Sequence, residues 1–176
     1  MQRYASADCA LSAVRQCLCV CHKLVRPILE HNSILWSPYY KQDIEAIECV
    51  QRRFTKRLPG LRSCTYFERL KLLSITSLEL RRLYTDLIWC YKIVFGIVPL
   101  SRDELFKFSD VGTRGHGYKL SKTYCASTVR YWFFTQRVVN VWNNLPQDIV
   151  DFTSIVSFKR TIKPVDFSAY LKVFVH

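Results

Sequence analysis

In the stretch IECVQRRFTKRLPG (residues 47–60), four of the six residues from Arg52 to Arg57 are basic, while Ile47, Val50, Phe54 and Leu58 recur at helical spacing. The spacing predicts an amphipathic helix over about 41–58. Ile44, Ile47, Val50, Phe54 and Leu58 form its core stripe, and Arg52, Arg53 and Lys56 lie on the opposite side. Pro59-Gly60 is a stop signal. The choice is between the solvated back of a core helix and a surface built to lie against phosphates.

Charge counting around the helix favours the second. From Arg52 to Arg82 there are nine Lys or Arg (52, 53, 56, 57, 62, 69, 71, 81, 82) against two Glu (68, 79), a surplus of seven. A solvated helix face usually mixes signs, because opposite charges at i, i+4 support a helix and like charges oppose it. Arg52 with Lys56 and Arg53 with Arg57 are like-charge pairs at that spacing, each costing a few tenths of a kcal/mol. Glu48 beside Arg52 and Asp86 beside Arg82 are the expected acidic relief. The whole chain of 176 residues carries +12, which suits a polyanionic partner, nucleic acid ahead of a lipid surface.

Outward from the helix the pattern stays mostly α. KLVRPILEHNSILW (23–36) reads as helix, with Pro27 kinking it or opening a new first turn. WSPYYKQD (36–43) is a break. Thr65 and Glu68 have capping-box spacing for a short helix in TYFERLKLL. Ser77 opens a longer one with Leu80, Leu83, Leu87, Tyr91 and Val94 in register, stopped by Gly96. Residues 99–129 hold three of the five glycines and read as an irregular basic loop with one short strand near Tyr118–Leu120. Helical spacing returns with Phe134, Val138, Trp142 and Leu145, and a last helix over about 154–162 offers Phe158 and Ile162 to its predecessor. The expected fold is a mostly α, bundle-like domain with that loop inserted. Its segments are 1–22, 23–98, 99–129 and 130–176.

Hydrophobic residues at 49% and aromatics at 14% exclude wholesale disorder. The most apolar stretch, LIWCYKIVFGIVPL (87–100), is interrupted by Lys92 and is shorter than the roughly 20 residues a membrane span needs. No signal-peptide layout is visible, and the eight cysteines read as reduced thiols. The expected compartment is therefore intracellular, cytoplasmic or nuclear. There is no phosphate loop, no G-x-S-x-G elbow and no H-E-x-x-H pair. No Asp-Asp pair is present, and a polymerase needs neighbouring carboxylates for its metal ions. The expectation is no catalytic residue, cofactor, metal or small-molecule substrate. CLCVCH (17–22) with His31 falls short of a zinc ligand set, because no second pair of suitable spacing exists. In TRGHGYKL (113–120), Arg114, His116 and Lys119 sit among glycines that would let a backbone approach a phosphate chain, or would merely shape a turn.

Several strings resemble a known family. LVRPILEHNSILWSPYYKQDIEAIECVQRRFTKRLPGL (24–61), YFERLKLLSITSLELRRLYTDLIWCYKIVFGIV (66–98), the TRGHGYKL loop and FFTQRVVNVWNNLPQDIVDFTSIVSFKRTI (133–162) are similar to the region after the polymerase core of non-LTR (LINE-type, jockey-like) retrotransposon reverse transcriptases. The resemblance covers about 23–171. It implies a thumb-like and C-terminal piece whose catalytic carboxylates lie upstream of anything matched here, and hence no polymerase or endonuclease residues. The family's use of basic thumb helices against a primer–template backbone maps onto Arg52, Arg53, Lys56 and Arg57 as a surface. Residues 1–22 depart from the family pattern, which implies a truncated or rearranged copy. The expected partners are RNA or an RNA–DNA hybrid, with a missing reverse transcriptase palm as a second. The full expected contact set is Arg52, Arg53, Lys56, Arg57, Arg81, Arg82, Arg114, His116 and Lys119. The competing expectation is an inert remnant or a helical interaction module whose exposed tryptophans (Trp36, Trp89, Trp132, Trp142) gather on one surface.

Overall fold

A computed structural model describes residues 19, 21–109 and 115–173. Among these the fold is mostly α: eight α-helices and one two-stranded ribbon. A π-helical turn, Cys21–Val25, runs into α1 (Arg26–Glu30), with Pro27 in the first turn, where its missing N–H costs nothing. Then come α2 (Lys41–Lys56), α3 (Tyr66–Leu72) and α4 (Leu78–Val94). After them lie α5 (Arg102–Leu105), β1 (Lys107–Phe108), β2 (Leu120–Ser121), α6 (Thr128–Tyr131), α7 (Phe134–Asn143) and α8 (Ile155–Thr161). A 3₁₀ turn, Ser168–Tyr170, follows.

Local signals explain several boundaries. Thr65 and Glu68 form the reciprocal capping box at the start of α3, worth about 1 kcal/mol. Ser77 Oγ accepts from the Leu80 N–H at the start of α4. At the other end of α4 the Ile97 N–H reaches back to the Lys92 carbonyl at 2.8 Å, with Gly96 at φ +66. Only a residue without Cβ takes that left-handed turn cheaply.

α4 is the central element, packing on α2, α7 and α8. Leu87, Tyr91 and Val94 of α4 meet Val138 and Trp142 of α7, Phe158 of α8 and Ile162 just past its end. The insert contributes as well: Phe106 and Leu120 are both buried in this core. β1 and β2 pair antiparallel, with Phe108 opposite Leu120. The expected strand near 118–120 is thus displaced to 120–121, because Tyr118 is held by another partner described below.

The largest departure from the sequence reading is the rotation of α2. Its buried residues are Ile44, Glu48, Gln51 and Thr55, followed by Leu58 after the helix ends. Ile47 and Phe54 are only half-buried, and Val50 is exposed. The buried stripe is turned by roughly 70° from the apolar one on a helix of 3.6 residues per turn. A polar network explains the turn. Glu48 accepts from Tyr66 Oη at 2.5 Å and from the Leu78 N–H at 3.0 Å. Gln51 Nε2 donates to Tyr66 Oη and to the Thr76 carbonyl, both at 3.0 Å. Arg69 Nε donates to Thr55 Oγ1 at 3.2 Å. Buried polar groups that find partners in this way select one register between helices as firmly as apolar packing does.

Candidate nucleic-acid interface

The polar seam leaves the back of α2 facing solvent. Arg52, Arg53, Lys56 and Arg57 are all exposed. The chain reverses after Leu58, with Gly60 at φ +77, and this turn brings Arg62 round to the same side. Arg53, Lys56, Arg57 and Arg62, with Leu58, Pro59 and Gly60, line one open depression of about 720 Å³. Arg52 stands beside it with its guanidinium 5.1 Å from the Tyr66 ring centroid. Among the described residues none of these five cations makes an ion pair. Arg62 completes the cluster although it lies outside the helix, so periodicity could not assign it to this face.

Placement also changes the charge argument. Arg53 and Lys56 lie in the last turn of α2, where the negative end of the helix dipole favours cations by about 0.3–1 kcal/mol each. That offsets the like-charge cost within the helix. The cluster is therefore stable without an anion, and what it offers one is four cationic tips around a single concavity.

Other expected contacts belong elsewhere. Arg82 is 5% exposed, donates through Nη2 to the Leu29 carbonyl at 2.9 Å and lies 5.5 Å from the Trp36 ring centroid. Burial pushes its pKa down, against the pull of Glu30, Glu48 and Asp86. Arg81 holds Glu30 through Nε and, at 2.8 Å, through Nη2. Both side chains pin α1 to α4, because α1 covers that flank of α4. Arg69, counted in the basic run, is likewise interior. Asp86 does not pair with Arg82 at hydrogen-bond distance. Arg137 takes it in a two-pronged contact at 2.7 and 2.8 Å. Glu48 pairs with Tyr66 and the start of α4 rather than with Arg52.

The glycine loop is a clamp. His116 is 3% exposed, and its Nε2 donates to the Trp142 carbonyl at 2.8 Å while Nδ1 accepts from the Tyr118 N–H at 3.3 Å. This fixes the neutral Nε2–H tautomer, and burial pushes its pKa below the ordinary value. Trp142 Nε1 donates to the Tyr118 carbonyl at 2.7 Å. Asn143 pairs with both backbone groups of Leu120 at 2.8 Å. His116 is thus tied to α7 and is not presented to a strand of nucleic acid. Gly115, at φ +111, leaves room for the Lys119 side chain, 3.3 Å from where a Cβ would stand. Lys119 is half-buried, and Arg114 lies outside the described residues.

The tryptophans do not gather on one surface. Trp142 is fully buried, Trp89 and Trp132 are half-buried, and Trp36 is exposed under Arg82. Among the described residues no group of His, Cys, Asp or Glu is arranged to hold a metal ion. Cys17 lies outside the described residues. No described helix is long and apolar enough to cross a membrane. Compared with protein-family models, curated proteins and solved structures, the chain matches none.

Proposed function

We propose that this chain holds RNA or an RNA–DNA hybrid by its phosphate backbone, in the manner of the region after the palm of a LINE-type reverse transcriptase and without polymerase or endonuclease residues of its own. The observation that carries the reading is the convergence of Arg53, Lys56, Arg57 and Arg62 on one depression, with no ion pair to a described carboxylate. Arg52, leaning on Tyr66, extends the same basic surface. Backbone recognition of this kind is sequence-tolerant and salt-sensitive, because bound phosphates release their counterions.

The test is binding of labelled single-stranded RNA and an RNA–DNA hybrid at two salt concentrations. Wild type is compared with a variant carrying Arg52→Glu, Arg53→Glu, Lys56→Glu and Arg57→Glu. Loss of most of the binding and of the salt slope in the variant supports the proposal. Equal, weak, salt-insensitive binding by both folded proteins rejects it. A second reading, a helical module that docks by apolar contacts, draws on exposed Ile28, Leu35, Phe67 and Leu72. It predicts self-association that salt does not relieve.

A further inference from the structure

The depression at the end of α2 groups its charges more tightly than contact with a nucleic-acid backbone requires. Lys56 and Arg57 follow Arg53 by three and four residues, which sets their Cβ atoms about 5–6 Å from its own. Arg62 joins them across the Gly60 reversal. Four formal positive charges thus border one concavity, and no acidic residue lines it. Among the described residues, none of the four side chains donates a hydrogen bond or makes an ion pair. All four charges are therefore open to an incoming ligand.

The rest of the lining is Leu58, Pro59 and Gly60. A Cβ at Gly60 would meet nothing within 4 Å, so no neighbouring side chain covers the backbone at that point and an anion can come close to it. The C-terminal end of α2 brings roughly half a negative charge to the same region. That is too little to offset four full positive charges, and the depression remains strongly cationic.

In a nucleic-acid backbone each phosphodiester carries one negative charge, and a whole sugar separates it from the next. Cations grouped this closely would meet only one or two such phosphates and stay largely unmatched. In an oligophosphate, neighbouring phosphorus atoms share a single bridging oxygen, so several negative charges fall within the span of the cluster. Guanidinium groups bind phosphoryl oxygens in pairs, which suits the three arginines here. We propose that the depression takes a linear oligophosphate, the chemistry carried by the 5′-triphosphate end of an RNA and by a free nucleoside triphosphate. The inference deepens the backbone reading and rests on its assignment of this face to phosphates. Arg52 leans on the Tyr66 ring and does not line the depression, which leaves it to backbone phosphates.

The experiment titrates the full chain with one short unstructured RNA carrying a 5′-triphosphate, a 5′-monophosphate or a 5′-hydroxyl. Adenosine 5′-triphosphate and inorganic tripolyphosphate are titrated separately, all in magnesium-free buffer, with fluorescence anisotropy and calorimetry as readouts. The triphosphate RNA is expected to bind about tenfold or more tightly than the hydroxyl RNA, with a log–log salt slope steeper by about 2 for roughly three more charges met. Arg62→Gln, at an exposed position, should remove most of that preference. Arg52→Gln should weaken all three RNAs by the same factor and leave the preference intact. Circular dichroism melts of both variants should match wild type. The two free triphosphates binding as tightly as the triphosphate RNA assign the site to the free compound, and tighter binding of the RNA assigns it to an RNA end. Three RNAs binding alike, with salt sensitivity, overturn the oligophosphate proposal and leave the backbone reading standing. A hydroxyl RNA that fails to bind while the triphosphates bind removes the backbone reading and keeps this one. A preference that Arg62→Gln leaves intact puts the triphosphate elsewhere and overturns the proposal.

Discussion

Replacing Glu48 by leucine tests whether the polar seam orients α2. Glu48 is 1% exposed and its carboxyl receives two donors, Tyr66 Oη–H at 2.5 Å and the Leu78 N–H at 3.0 Å. Leucine is of similar size, so cavity formation is minor and the cost comes from two stranded donors. At about 1–3 kcal/mol for each buried group left unpaired, the loss is on the order of 3 kcal/mol after the carboxyl's own burial cost is recovered. That is a large part of the ~5–15 kcal/mol available to a domain, and lowers Tm on the order of 10 °C. Urea unfolding followed by circular dichroism measures it. A double-mutant cycle with Tyr66→Phe isolates the shared contact, with an expected coupling of about 1–2 kcal/mol. The pH dependence adds a sign. Burial is the main cause holding the Glu48 pKa above its ordinary 4.5, so the folded state keeps this proton more readily than the unfolded chain. Its contribution is present below pH 4.5 and is lost as pH rises through the raised value. Glu48→Gln should flatten that part of the stability profile. A Glu48→Leu protein as stable as wild type, or uncoupled from Tyr66→Phe, would refute the claim that hydrogen bonding rather than apolar packing sets the rotation of α2.

Three further outcomes are expected. If four phosphate contacts form on the α2 face, the log–log salt slope for single-stranded RNA should be about −3, a loss of roughly fiftyfold between 50 and 200 mM salt; the fourfold Glu variant should show a slope near zero in filter binding. His116, held neutral by burial, has a folded pKa below 6.5. Stability should therefore fall as pH drops below 6.5, by at most about 1.4 kcal/mol per unit, and His116→Gln should remove that increment in urea titrations at pH 6.5 and 5.5. Asn143→Ala removes two 2.8 Å bonds to Leu120. It should cost about 2 kcal/mol and selectively accelerate hydrogen exchange at the Leu120 amide, and uniform acceleration across α7 would contradict a local clamp.

Local chemistry made much of this protein legible in its sequence. The Thr65–Glu68 capping box, the Ser77 cap, the Gly96 stop and the register of Phe134, Val138, Trp142 and Leu145 depend on neighbours within a turn or two, and each stands where its spacing predicts. So does the mostly α composition of the fold. What periodicity misjudged was any face whose partner is distant. Val50 looked like core and is exposed, because Glu48, Gln51 and Thr55 meet polar groups from α3 and the start of α4 that apolar counting cannot anticipate. The basic run misled in the same way: Arg69, Arg81 and Arg82 read as surface charge, but Thr55 and the Leu29 carbonyl hold Arg69 and Arg82 in the interior, and Glu30 engages the half-exposed Arg81. Arg62 joins Arg53, Lys56 and Arg57 only through the Gly60 reversal. His116, which reads as a candidate contact, is claimed by Trp142, 26 residues away. Amino-acid order thus determined where helices begin and end, because those free energies are local. Which face of each helix is buried, and which charges remain for a ligand, was decided by tertiary contacts, where one long-range hydrogen bond can outweigh the preference of an exposed apolar side chain.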